Sequence, residues 1–162
     1  MIKFELTGAM PVFDAPAYIR ALDFAISDQM VESSRAFLRA ALVRVPVDSG
    51  MSRGSFLNLG RVINQAVPIR PRRTGLTYYG PPRLPKTPAS GALLSSKEED
   101  LFVSDGRTHS FNFSSLVKQF LLHDPTWGAT QAGLSAFIAD FNKNLPSKIP
   151  PISKFIKTAK LA

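Results

Sequence analysis

Three features of the chain predict an α+β domain. A pattern of about 30 residues with helical spacing opens it, short apolar alternations supply strands, and a second helical pattern lies near its end. The expected architecture is one domain, 1–162, with a long N-terminal amphipathic helix packed on a small antiparallel sheet. Ile2–Leu6, a hairpin over 101–113 and a third segment, Leu116–Leu122, which reads equally as strand or short helix, would supply that sheet. A C-terminal helix over Thr130–Leu145 would pack alongside, and 66–96 would form a long Pro/Arg-rich arm or loop.

Each element has its own justification. Ile2, Phe4 and Leu6 alternate with Lys3 and Glu5, which reads as a half-buried strand. Pro11 and Pro16 punctuate its exit. From Ala15 to Val45 the residues Ile19, Leu22, Ile26, Met30, Phe37, Leu38, Ala41, Leu42 and Val45 recur at helical spacing, with a lapse at Ser33–Ser34 that suggests a bend. Pro46 disfavours helical geometry in Val45 and ends the helix. Asp48 or Ser49 can cap a second, weaker helix over Ser52–Asn64, which Gly54 and Gly60 each weaken by about 1 kcal/mol.

Beyond Ala66, prolines at 68, 71, 81, 82, 85 and 88 preclude helix and interrupt sheet pairing. A connection of that length inside a compact domain is usually functional or disordered. Phe102–Val103, Asp105–Gly106 and Phe111/Phe113 form a hairpin signal. His123, Asp124 and Pro125 close the next segment. Leu134, Phe137, Ile138, Phe141 and Leu145 share one face of the last helix, which Pro146 ends; a tail with Pro150–Pro151, Ile152, Phe155 and Ile156 follows. The residues expected in the core are Ile26, Met30, Phe37, Leu38, Phe111, Phe113, Phe137 and Phe141.

Composition narrows the function classes. No apolar run approaches the roughly 20 residues of a membrane span, mean hydropathy is near zero, and the first residues lack the apolar region of a signal peptide. With no cysteine, disulfides, thiolate metal sites and cysteine nucleophiles are excluded. The net charge is +8, and its location matters. Between Asp48 and Glu98 there is no acid, but there are eight bases: Arg53, Arg61, Arg70, Arg72, Arg73, Arg83, Lys86 and Lys97. The rest of the chain holds twelve bases against twelve acids. Such a field attracts phosphate or an acidic protein face. Arginines interleaved with prolines, rather than set on a groove-reading helix, favour pairing with acids of this fold or of a neighbouring subunit.

No catalytic constellation is visible. His109 and His123 have no partner at metal-ligand spacing and read as surface or interface residues. The segment from Gly50 to Ser55 lacks the Gly-Lys-Ser/Thr close of a P-loop, so no cofactor, metal or catalytic residue is assigned. Trp127 reads as a core anchor or an interface hot spot.

One set of motifs carries a resemblance. Pro46, Asp48, Ser49, Gly50, Arg53 and Ser55–Phe56 follow the long helix in the order Pro-x-Asp-Thr/Ser-Gly, basic residue, Ser-hydrophobic. Lys86–Ala92 reads Lys-x-Pro-x-Ser-Gly, Ser110–Phe113 contains Phe-x-Phe, and Trp127–Gly128, Ala132–Gly133 and Ala136–Phe137 follow in turn. Together these span roughly Leu22 to Pro146 and resemble the neck and tail-completion proteins of tailed double-stranded DNA phages. The resemblance implies a non-enzymatic virion protein at the head-tail junction, assembled in the host cytoplasm as a homo-oligomeric ring around the DNA path. Its partners would be head-closure or connector and tail-terminator proteins, with double-stranded DNA nearby in the lumen and no membrane. Arg53, Arg70, Arg72, Arg73, Tyr78, Tyr79, Arg83, Lys86 and Trp127 are the interface or DNA-path candidates, and Pro46, Asp48, Ser49 and Gly50 form the structural turn. Two departures from the family pattern are the inserted Pro/Arg segment and Ser49 for threonine. The other reading is a small basic nucleic-acid-binding protein using 53–97.

Overall fold

A computed structural model describes residues 9–46, 51–69, 78–80, 97–105, 108–115 and 118–160. In chain order the elements are β1 (Ala9–Phe13), α1 (Ala15–Arg44), α2 (Met51–Gly54), α3 (Leu57–Val62), β2 (Val67–Ile69), β3 (Tyr78–Gly80), α4 (Glu98–Leu101), β4 (Phe102–Ser104), β5 (His109–Phe111), α5 (Lys118–Trp127), α6 (Ala129–Lys148) and, after a 3-10 turn over Ile152–Phe155, β6 (Ile156–Lys160). The class is α+β, with a long N-terminal helix, small antiparallel sheets and a C-terminal helix.

The single expected sheet is, among the described residues, three separate two-stranded antiparallel ribbons. β4 and β5 pair as the hairpin signal implied, with Phe102 opposite Phe111. The Asp105 carboxylate accepts from the Thr108 N–H at 2.7 Å and closes the turn. Leu101 itself ends a helical turn and is buried. The segment Leu116–Leu122, ambiguous in sequence, contributes α5 from Lys118 onward. Ile2–Leu6 lies outside the described residues. The ribbon that the sequence did not suggest joins the two ends of the chain: β1 pairs with β6, from Ala9 opposite Lys160 to Phe13 opposite Ile156.

α1 runs unbroken for 30 residues, about 45 Å at 1.5 Å per residue. Asp14 caps it, accepting from the Ala17 N–H at 3.1 Å, and Val45 leaves it in extended geometry. α6 lies antiparallel along it: Phe37 faces Gly133, Ser33 faces Asp140, and Asp28 pairs with Lys148. This explains the lapse at Ser33–Ser34. Both serines are fully buried and the helix does not bend: Ser33 meets the carboxylate that α6 offers, and Ser34 Oγ donates to Val31 O of its own helix at 2.6 Å. Gln29 Nε2 and Ser33 Oγ both donate to Asp140 Oδ2, at 3.2 and 2.9 Å.

Two prolines read as helix ends do not end their helices. α5 passes through Pro125 to Trp127, and α6 through Pro146 to Lys148. Each proline removes one i→i−4 bond. Pro125 and Leu121, like Pro146 and Asn142, are exposed, so the loss falls on a solvated side. The turn between these helices is made by Gly128 at φ +63, a left-handed conformation that suits glycine, and Asp124 Oδ1 accepts from the Thr130 N–H.

The core is aromatic. Phe37, only 2% exposed, meets Phe111 and Phe113 at ring-centroid distances of 5.2 Å each. From there the rings continue through Phe56, stacked on Phe113 at 4.8 Å, to Phe120 and Trp127. In the other direction Phe111 stacks on Phe137 at 5.1 Å, and Phe137 on Phe141. Of the expected core residues, Met30, Phe37 and Leu38 are buried, while Ile26, Phe111, Phe113, Phe137 and Phe141 are half-buried. Ile19, placed on the buried stripe, is exposed, because α6 and the ribbons cover only part of the helix it stands on.

Candidate functional site

The motif-bearing junction after α1 is built from its residues as follows. The last carbonyls of a helix have no partner within it. Arg53, on α2, reaches back to supply one: its guanidinium donates to Leu42 O at 3.0 Å and to Val45 O at 3.1 and 3.2 Å. A fourth bond runs to Pro68 O at 3.2 Å, so one side chain ties α1, α2 and β2 together. Partial burial lowers the Arg53 pKa from its ordinary value, the expected effect of desolvating a cation. Ser55 and Phe56 follow at the floor of the junction. Ser55 Oγ lies 2.6 Å from Ser115 Oγ, and Phe56 is wholly buried in the aromatic chain. The expected helix over 52–64 is therefore two short helices divided at Ser55–Phe56, where the chain dips into the core. Pro46 is exposed beside this junction; Asp48, Ser49 and Gly50 lie outside the described residues.

The base of the expected arm is also visible. Val67, 1% exposed, roots β2 in the core, and β2 pairs with β3 in the register Val67–Gly80, Pro68–Tyr79, Ile69–Tyr78. The segment thus begins as a short ribbon despite its prolines. Gly60 permits this approach: a Cβ there would stand 2.6 Å from Gln65 O and 2.7 Å from Val67 Cγ2. Tyr78 and Tyr79 are placed on β3, whereas Arg70, Arg72, Arg73, Arg83 and Lys86 lie outside the described residues. Of the basic residues that are described, Arg61 pairs with Glu98 at 2.7 Å and Lys97 approaches Glu99 at 3.9 Å. Along with Arg53, these spend their charge within the fold.

Trp127 sits at the end of the aromatic chain, packed against the core on one side and stacked at 5.4 Å on the exposed His123. Leu121 and Leu122, 57% and 62% exposed, lie on the same helix.

One cluster escaped the sequence reading. His109, expected at the surface, is held between helix and hairpin. Its Nε2 lies 2.9 Å from Asp23 Oδ1 and its Nδ1 3.2 Å from Ser27 Oγ. Both ring nitrogens are engaged, and the cluster ties β5 to α1 beside a cleft of about 250 Å³ that Met30, Val31 and Phe102 also line. Asp23 and Ser27 stand four apart on one helix face, but the histidine is 82 residues from Ser27, so no local spacing announces the group.

No family model matches this chain, and searches of curated proteins and of solved structures find no match. Among the described residues no helix is long and apolar enough to cross a membrane, and none of the His, Cys, Asp and Glu side chains gather in threes as a metal site would require.

Proposed function

We propose that this chain is a structural virion protein of the phage head-tail junction, a neck or tail-completion ring subunit joining the portal-side connector to the tail around the DNA path. The observation that carries the reading is the junction after α1. Arg53, Ser55 and Phe56, three residues of the ordered motif, each have a separate structural task there: Arg53 bonds the carbonyls at the end of α1, Ser55 pairs with Ser115, and Phe56 is buried in the core. These tasks support reading the described part of the motif as a unit.

The surface supports a protein that works by contact. Large apolar side chains stand open on several elements, among them Phe24 at 74% and Val43 at 82% exposure, together with Leu121 and Leu122. The β2–β3 pair, Val67–Ile69 with Tyr78–Gly80, is a root from which the basic segment can reach a neighbouring ring, its arginines meeting carboxylates there or phosphates in the lumen. Virions made without this chain should accumulate as DNA-filled heads and finished tails that do not join. Complete, infectious particles lacking the protein would reject the proposal.

A further inference from the structure

The β1–β6 ribbon is a two-stranded sheet, and such a sheet is marginal on its own. Its two edges are not alike. The Asp14 N–H donates to Phe155 O at 2.8 Å, and position 14 faces position 155 in the same register. In an antiparallel ladder, bonded and non-bonded pairs alternate. Met10–Ala159 and Val12–Lys157 are therefore bonded pairs, whereas residues 9, 11 and 13 of β1 and 156, 158 and 160 of β6 aim their backbone groups outward. Pro11 falls in the outward set. Its missing N–H costs the ladder nothing, and it blunts the free edge of β1.

β6 carries Lys157 and Lys160 but leaves its outward amides able to pair. It contains no proline. The Ile156 N–H turns back to Ser153 O, but Thr158 and Lys160 present outward amides with no strand beside them among the described residues. Phe13 and Ile156, paired across the ribbon on one face, are 45% and 49% exposed. An added strand with alternating apolar residues would fit that edge and cover that face.

The sequence alternation of Ile2–Leu6 matches such a strand. With Ile2, Phe4 and Leu6 on the Ile156 face, Glu5 falls on the face that carries Lys157. Only Thr7 and Gly8 separate this segment from β1. Placed antiparallel on β6 it would run parallel to β1, and a parallel crossover takes a dozen or more residues. The segment cannot make that connection within its own chain.

We propose that the free edge of β6 receives Ile2–Leu6 of a second copy as an added antiparallel strand. Donor and acceptor surfaces differ, so the contact is heterologous and propagates head to tail, closing into a ring where the rotation allows. The ring as destination rests on the neck-ring reading above; the strand addition does not.

The absence of native cysteine makes a direct test possible. Phe4→Cys protein mixed with Thr158→Cys protein should form a mixed disulfide under mild oxidation, in yield well above that of either protein alone. In parallel, Thr158→Pro and deletion of residues 1–7 should each shift sedimentation from oligomer to monomer, with helical circular dichroism retained. The proposal is overturned by a wild-type chain that is monomeric at every concentration, or by folded variants that assemble as wild type does. In the latter case the ring reading survives without the strand exchange. Absence of the protein from virion necks would instead remove the ring reading and leave the exchange measurable.

Discussion

Replacing Gly133 with alanine gives a test in which the sign alone decides. On a free helix surface that change stabilises by about 1 kcal/mol, because alanine is the better helix former. Gly133 is buried where α6 crosses α1, and a Cβ placed there would lie 2.7 and 2.8 Å from two ring carbons of Phe37 and 3.1 Å from its carbonyl oxygen. The ring cannot swing aside, for Phe56, Phe111 and Phe113 hold it on other sides, and the carbonyl belongs to the helix backbone. The helices must separate by some tenths of an ångström. Overpacking of this kind costs about 1–3 kcal/mol; less the propensity gain, the net runs from near zero to a destabilisation of roughly 2 kcal/mol, with no stabilisation. Urea unfolding followed by circular dichroism would measure it. Combining the change with Phe37→Leu should recover part of the loss, giving a non-additive cycle. A stabilised Gly133→Ala protein would refute the close α1–α6 packing.

Other outcomes follow from the same structure. Arg53→Lys should destabilise by about 1.5–3 kcal/mol, since a lysine cannot reproduce the fork that serves three carbonyls; a change within about 0.5 kcal/mol in urea would remove the junction's structural role. Asp14 is held below the ordinary carboxylate value of 3.8 by its bond to Lys157 and then by the Ala17 N–H. Its folded pKa is depressed, so its contribution is present above that value and is lost as pH falls through the lower folded pKa. An acid titration should therefore loosen the start of α1 and the β1–β6 ribbon only below about pH 4, seen as faster exchange of their amides, and that pH dependence should be absent in Asp14→Asn. Deleting Arg72–Lys86 removes β3 as well, yet should leave a folded subunit because Val67 keeps β2 rooted in the core, while heads no longer join tails; loss of folding or normal virions would each defeat the arm. The isolated subunit should bind DNA weakly. Tight binding that falls with log[salt] at about −0.9 per phosphate contacted would favour the nucleic-acid reading.

What the sequence made legible was local. The 3.6-residue stripe of α1, the Asp-Gly hairpin and the final helix depend on neighbours a few positions apart, and each formed. What it hid depended on distance. β1 and β6 pair across almost the whole chain, and neither has the unbroken alternation that marks a strand alone. Ser33–Ser34 looked like a break because a buried polar seam is recognisable only with Asp140 opposite. Pro125 and Pro146 looked like stops because sequence does not reveal that each would stand on an exposed side of its helix. Arg53 was one cation among eight until the carbonyls of Leu42 and Val45 gave it a task. The Asp23–Ser27–His109 cluster needed the hairpin to fold onto the helix before it existed.

The central claim is a place in the virion. Electron microscopy of purified phage particles, with this chain carrying a density label, measures that place directly. A neck-ring subunit should place the label in a closed ring between portal and tail, at the DNA path. Label on the capsid shell or at the tail tip, or none on the particle, would contradict it.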